Sequence, residues 1–298
     1  MLDPALVDLS RAVVAIALGS LGVIQRLDLL KAGGEADVLQ VELTNSQRLV
    51  LKVANGNDGP VDFERTQAVT ALARAAGVPT PAVLAADNSG HAGRRYLLLE
   101  HVEGTSWQQV RPQLKPSQIA AAHRQMADAV LSVQSIGFGS FGELDRQGRP
   151  GSQGLLDALG HRAELRVVDS RARDSFHRML DRNAALFTGP QSPTLCHDDL
   201  HHGNVLFRER RGRWELAGLL DWDKAWAGPA ESDIARMAFW DDMTGPDFWR
   251  VYHASVPATD GQHERSLIYQ LLWCLEYDDG SPRHAADTAA LERRLGIS

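Results

Sequence analysis

The sequence predicts an α+β fold in two lobes. Residues 1–102 form a small lobe on an antiparallel sheet with one main helix, and residues 103–298 form a larger, mostly helical lobe. Three observations carry this reading. Short strand-like runs crowd into the first hundred residues. Helical periodicity dominates after Gly104. One strand–loop–strand segment, residues 194–221, interrupts those helices. The chain has 298 residues, 44% apolar and 23% charged, which is globular composition with ample material for a core and excludes disorder, coiled coil and collagen.

The elements follow in order. Leu2, Leu6, Leu9, Val13 and Ile16 recur at steps of four and three, one face of a helix that Gly19 and Gly22 break. Residues 23–30, 38–43 and 49–53 read as strands, with Asn45 and Ser46 in a hairpin turn. A polar, glycine-containing stretch at 55–60 ends this part. A helix is expected over 61–76, stopped by Gly77 and Pro79. Two more strands are expected at 82–86 and 95–102, with Asn88, Ser89 and Gly90 turning between them. The boundary falls near Val102, as a single crossing with no evident linker. Ser117 is the expected cap of a helix running to Gly137, a further helix is expected over 161–187, and the segment after Ala230 reads as helical. There is no internal repeat or low-complexity tract.

Charge and cysteine usage narrow the function classes. Against 31 Lys and Arg stand 38 Asp and Glu, and the net charge of −7 argues against a nucleic-acid-binding surface. Cys196 and Cys274 make neither a disulfide framework nor a zinc motif, and fit a reducing cytoplasm. The longest apolar stretch, residues 12–24, is shorter than the roughly 20 residues a membrane-spanning helix needs. Asp3 and Asp8 do not suit the positive leader of a signal peptide. The expected molecule is cytoplasmic, a monomer or homodimer, away from membranes.

The chemistry concentrates in Cys196-His197-Asp198-Asp199-Leu200-His201-His202-Gly203-Asn204-Val205-Leu206. Within it, His-x-Asp-Leu-x-x-x-Asn has the spacing of a kinase catalytic loop. Downstream, Gly218-Leu219-Leu220-Asp221-Trp222-Asp223 ends an apolar run on acids. Phosphoryl transfer needs few groups, but they must converge. A carboxylate, Asp199, orients or accepts the proton of an attacking hydroxyl. The amide oxygen of Asn204 and the carboxylate of Asp221 hold Mg²⁺ against phosphates. His197 is expected to buttress the loop. An Asp-x-x-x-x-Asn alone would be an ordinary turn. The order of a strand-rich lobe, a strand lysine, this loop and an acidic strand end makes the difference.

These paired motifs resemble the aminoglycoside phosphotransferase family, kinases of antibiotics and small alcohols that share the protein-kinase-like fold. Members usually show His-Gly-Asp-Leu-His-x-Gly-Asn, an apolar residue and Leu, then Asp-Trp-Glu or Asp-Trp-Asp after an apolar strand. This chain departs at Asp198, usually Gly, and at His202, often Pro. Neither departure removes a functional atom, and the charge of Asp198 is expected to raise the pKa of the base beside it.

The resemblance implies a bilobal kinase-like fold that binds ATP or GTP with Mg²⁺. It places Lys52 on the strand whose lysine contacts the phosphates, with Glu64 as its ion-pair partner. It places Gly33 and Gly34 in the phosphate-covering loop, where a plain hairpin turn would read the same. The backbone of Glu100 and Val102 becomes the purine hinge. Asp223 either binds metal through water or braces its loop. Asp233 is expected near a helix start, accepting backbone N–H bonds. A protein kinase is excluded, because no Ala-Pro-Glu follows Asp221 and the interval to Asp233 is too short for an activation loop.

The implied acceptor is a small molecule, expected to be cationic. Asp241, Asp242, Asp247, Glu276, Asp278 and Asp279 would offer it an acidic wall, with Glu276, Asp278 and Asp279 the preferred patch. An aminoglycoside or basic peptide antibiotic fits that wall. The rivals are a metabolic kinase of the homoserine, choline, fructosamine or thioribose type, and a catalytically silent nucleotide-binding scaffold. Trp240, Trp249 and Trp273 are expected in the core.

Overall fold

The computed structural model describes residues 2–56, 61–151, 154–189, 191–277 and 280–297. The chain divides into two compact units. The first is Met1–Gly104 with Arg146–Gly148 and Ala217–Asp223, and the second is Thr105–Asp145, Arg149–Leu216 and Lys224–Ser298. The single crossing expected near Val102 is therefore incomplete, because the chain re-enters the first unit twice. The second return delivers Asp221 and Asp223 to it.

In the first unit, α1 (Pro4–Leu18) opens on Asp3, whose carboxylate accepts the Ala5 N–H. It closes at Gly19, whose φ of +58° is costly for any residue with a Cβ. Its buried stripe is Leu6, Leu9, Ser10, Val13 and Val14, and the expected face member Ile16 is 67% exposed. The stretch Pro4–Leu21 is 18 residues of mean hydropathy 1.5, long and apolar enough by composition to cross a membrane. The sequence expectation drawn from residues 12–24 missed this. In the fold, Leu6, Leu9, Val13 and Val14 bury their side chains in the core of the first unit.

The sheet of this unit contains β1 (Ile24–Lys31), β2 (Ala36–Leu43), β3 (Arg48–Ala54), β4 (Val83–Asp87) and β5 (Tyr96–Glu100), with α2 (Phe63–Ala75) between β3 and β4. The order is β1-β2-β3-β5-β4, with antiparallel neighbours throughout. Period-two alternation sorts the faces. Leu49, Leu51 and Val53 pack with Leu39, Val41 and Leu43 and with α1. Val50 packs on the opposite side, in the cluster of Phe63, Leu97 and Leu99. Lys52 shares that second parity and pairs in register with Val38 and Leu97.

The second unit begins with β6 (Thr105–Ser106), α3 (Trp107–Val110) and α4 (Pro116–Gln134). Lys115 caps α4 through a bond from its N–H to the Gln118 side chain, so Ser117, the expected cap, lies inside the first turn. Next come β7 (Gly142–Glu143), α5 (Leu155–Arg166) and α6 (Ser170–Arg182). The continuous helix expected over 161–187 is thus two helices. Val167 turns extended at the end of α5, and Asp169 starts α6 by accepting the Ala172 N–H. Then follow β8 (Pro193–Cys196), β9 (Val205–Arg210), β10 (Arg213–Leu219), β11 (Trp226–Pro229), α7 (Ala230–Phe239), α8 (Pro246–Ser255), α9 (Gln262–Glu276) and α10 (Pro282–Arg294).

Two small sheets, β10-β9-β6 and β7-β11-β8, frame the loop after β8. In α9, Leu267, Ile268, Leu271 and Leu272 recur at helical spacing and pack with Leu159, Phe176 and Trp226 in one core. Cys196 and Cys274 are both buried free thiols.

Candidate active site

The first unit contributes a buried lysine and two acids. The Lys52 ammonium is 2.7 Å from Asp221 Oδ1 and 2.8 Å from Asp223 Oδ2, and its side chain is 12% exposed. Burial alone would lower its pKa. The two carboxylates outweigh that and raise it above the ordinary lysine value, so the cation persists at every working pH. The strand end is fixed locally. Trp222 is buried and donates its indole N–H to the Leu219 carbonyl, and the Leu219 N–H bonds to Pro79 O. Asp221 holds a left-handed backbone, φ +66°. Asp223 accepts from the Thr66 hydroxyl at 2.8 Å, and its carbonyl accepts from Arg65, both on α2.

Glu64 is not the partner of Lys52. It lies 3.1 Å from Arg146, which also binds Asp62, the cap of α2. Asp221 and Asp223 take the place expected for it.

Gly33 and Gly34 lie between β1 and β2. A Cβ on Gly33 would fall 2.2 Å from the Ala36 carbonyl, so the turn excludes any other residue there, while Gly34 faces open space. Asn55 holds both glycine carbonyls through its side-chain amide. Glu100 ends β5 with its N–H donated to Ala82 O. Val102 packs its side chain beside Gly218.

The second unit holds the catalytic-loop motif. Asp199 Oδ1 accepts from Arg236 at 2.6 Å, and Asn204 donates to the Asp199 carbonyl at 2.9 Å and to Oδ2 at 3.3 Å. Burial would raise the Asp199 pKa. Arg236, followed by His201 and His197, reverses the sign and holds it below the usual carboxylate value. The expected rise caused by Asp198 does not occur. Instead Asp198 Oδ2 meets Arg162 at 2.6 Å and Oδ1 accepts from Ser232. Its φ is +61°, the region glycine prefers and aspartate tolerates better than most residues. The buried His197 accepts the Asp199 N–H on Nδ1.

Asp233 acts at a different place from the one expected. It takes the backbone N–H groups of His197 at 3.0 Å and Asp198 at 2.7 Å, rather than those of its own helix start. Burial, aided by Asp198, pushes its pKa up to about 7.

Two arginines complete this constellation, and sequence reasoning missed both. Arg236 is 3% exposed, and its guanidinium carbon lies 3.2 Å from the centre of the Trp273 ring. Burial lowers its pKa, against the pull of Asp199. Asp233 and Arg236 are three apart on α7, one face of one helix, and that spacing was the available signal. Arg162 is 1% exposed and binds Glu143, Asp198 and Glu276, with its guanidinium over Trp226. A lone arginine on an amphipathic helix gave no sign of this.

The acidic wall is largely neutralised. Glu276, placed in the preferred substrate patch, has a side chain 2% exposed and bound to Arg162 at 2.8 Å, out of reach of an acceptor. Asp242 pairs with Arg111, Asp247 with Arg124 and Arg250, and Asp241 faces Arg283 at 3.9 Å. Asp278 and Asp279 lie outside the described residues. A cavity of about 330 Å³ is lined by His202 of the loop with Gln108, Arg111, Trp240, Asp242 and Arg283. Trp273 is core as expected, whereas the half-buried Trp240 lines this cavity.

Among the described residues no group of three or more His, Cys, Asp and Glu is placed to hold a metal ion. Taken singly, the Asn204 amide and the Asp221 carboxylate are hard oxygen donors. Mg²⁺ favours such oxygens, and with phosphates and water to complete its shell it needs few from the protein. The Asn204 amide nitrogen is committed to Asp199, which leaves its oxygen to serve as ligand.

A sequence model of the APH phosphotransferase enzyme family matches residues 27–265. No curated protein matches the sequence. Among solved structures, the aminoglycoside phosphotransferase APH(4)-Ia is similar at TM-score 0.68 and 20% identity, over 96% of this chain and 97% of that one. A thermostable mutant of it, in ternary complex with AMP-PNP and hygromycin B, gives 0.67 and 20% over the same shares. A protein described as a fructosamine-3-kinase, from Thermobifida fusca YX-ER1, gives 0.64 and 21%, over 97% of this chain and 99% of that one. All three share the protein-kinase-like fold with this chain.

Proposed function

The chain belongs to the APH phosphotransferase enzyme family, and from that premise we propose that it transfers the γ-phosphoryl group of ATP or GTP, with Mg²⁺, to a hydroxyl of a small molecule. The observation that carries this reading is the grip on Asp199. Its carboxylate stays ionised and is fixed by Arg236 on one oxygen and Asn204 on the other. A base held in one orientation suits the positioning that dominates phosphoryl transfer. Asp199 orients or deprotonates the acceptor hydroxyl. Asn204 and Asp221 supply metal oxygens, and Lys52 supplies a permanent cation for the phosphates. The bound metal would neutralise charge on the phosphate oxygens. Gly33 and Gly34 cover the phosphates, and the Val102 backbone offers the purine hinge.

The acceptor expected from the sequence, a cationic antibiotic, is supported by likeness to a protein crystallised with hygromycin B. The arginine-paired acids favour a second reading, a metabolic hydroxyl compound of the homoserine, choline, fructosamine or thioribose type. Likeness to the protein described as a fructosamine-3-kinase supports that reading. The small cavity beside His202 is the proposed acceptor pocket. We also place the protein in the cytoplasm, as a monomer or homodimer.

The test is a coupled ADP- and GDP-release assay. ATP or GTP with Mg²⁺ is offered against aminoglycosides, basic peptide antibiotics and small metabolic alcohols, with Asp199→Asn as control. Release that requires one acceptor class and vanishes in the variant supports the reading and names the class. Nucleotide binding with no release across the panel favours the silent scaffold.

A further inference from the structure

The helical unit contains a second, larger cavity, of about 760 Å³, between the end of α7, α8, α9 and α10. That volume is in the range of pockets that hold drug-sized molecules. Its floor is apolar, with Phe239 from α7, Leu267 from α9 and Leu291 from α10. One wall is a stacked pair, Trp249 over His253, with ring centres 5.3 Å apart and planes within 18°. The other wall carries His263 and Arg294, joined at 3.1 Å by a bond from the guanidinium to the imidazole Nε2.

The charge here runs against the chain as a whole. The sequence is net −7. The cavity lining holds one arginine and two histidines against a single acid, Asp287, which already faces Arg283 at 3.8 Å. Among the described residues, Arg294 has His263 as its side-chain partner, and that partner takes one of its five N–H donors. His253 donates Nδ1–H to the Val256 carbonyl, so its Nε2 is directed elsewhere. Thr259, Gln262 and Ser266 add neutral polar groups to the rim. Aromatic rings, apolar side chains and an arginine in one lining are complementary to a planar ring bearing one carboxylate or sulfonate. A polycation would meet Arg294, and an aliphatic alcohol would leave that arginine and the stacked wall unused.

We propose that this α8–α9–α10 cavity is a binding site for a planar aromatic monoanion, with its ring against Trp249 and its anionic group on Arg294. The site is separate from the one that takes nucleotide, and it stands whether or not the chain is a kinase.

The probe is 1-anilinonaphthalene-8-sulfonate, titrated into the full-length protein and followed by its own fluorescence and by quenching of tryptophan. The expected result is saturable binding of one equivalent that saturating AMP-PNP leaves unchanged. Arg294→Glu should raise the Kd by about tenfold or more, through loss of the counter-charge. Ala290→Trp, which fills the cavity from α10, should abolish binding. Arg171→Glu, the same charge change at an exposed position of α6, should leave the Kd as it was. Circular dichroism and the melting temperature report whether each variant keeps its fold. Displacement by AMP-PNP overturns the proposal, as does unsaturable binding. It is equally overturned if a folded Arg294→Glu and a folded Ala290→Trp both retain native affinity.

Discussion

Lys52 in the first unit and Arg162 in the second are both buried cations among carboxylates, and they are built for different purposes. Lys52 holds two acids on a flexible stem, and one of them, Asp221, has a side chain 41% exposed. Arg162 holds three through a rigid planar fork, and those acids are between 2% and 16% exposed. An ammonium with a half-exposed partner can change partners when a phosphate or metal arrives. A guanidinium locked among three dry carboxylates cannot, because each broken bond leaves a buried charge. The first arrangement suits the proposed site, and the second is a frame for the loop that carries Asp199.

Four substitutions break or sharpen that contrast, and the three that do not turn on pH come first, ordered by expected effect. Asp199→Asn should cut turnover by about 10²- to 10⁴-fold, the usual worth of a positioned base, with nucleotide affinity nearly unchanged. Steady-state kinetics beside calorimetry checks this, and near-native turnover removes Asp199 from that role. Arg162→Ala should destabilise the fold by about 3–5 kcal/mol, since Asp198 and Glu276 lose their cation and Glu143 keeps only Arg166. Denaturant melts measure it, and a loss no larger than that from Lys52→Ala would erase the distinction between frame and site. Asp221→Ala should weaken Mg²⁺-nucleotide binding by about tenfold or more, roughly the worth of a lost charged ligand, and leave stability close to native. Unchanged affinity in calorimetry would contradict its assignment.

The last test concerns pH. The Asp233 carboxyl is raised from an ordinary 3.8 to about 7, so between those values the folded chain keeps a proton that the unfolded chain has released. Its contribution to stability is therefore complete below about pH 4, declines as pH rises toward 7, and is level above that. Asp233→Asn removes this slope. The stability gap between native and variant protein should shrink from pH 5 to pH 8 in paired urea melts. A constant gap would mean Asp233 is ionised in the fold throughout.

The parts legible in the sequence were those with local signals. Alternation gave the strands, and the order of the motifs, read with the family resemblance, singled out Lys52, Asp199, Asn204 and Asp221 as candidates. The unread parts depend on residues far apart in the chain. Glu276 looked like an exposed acid at a helix end until Arg162, from another helix, was seen to bury it. Glu64 followed the strand lysine at a familiar distance, yet Arg146 returns from the second unit's stretch of sequence to claim it. The break at Val167 has no glycine or proline to announce it. Asp233 was placed at a helix start correctly, but the N–H groups it binds belong to a loop read separately. Pairings of this kind leave no periodic trace.

Asp198 carries one more consequence. With its left-handed backbone and its bonds to Arg162 and Ser232, it is part of a linked set rather than an isolated exchange. A signature that demands glycine before the motif aspartate would pass over this chain although Asp199 and Asn204 keep their places in the motif. Among its kin, an acid at that position should travel with an arginine at the place of Arg162 and a hydroxyl at the place of Ser232. A lineage that lost the arginine should revert to glycine.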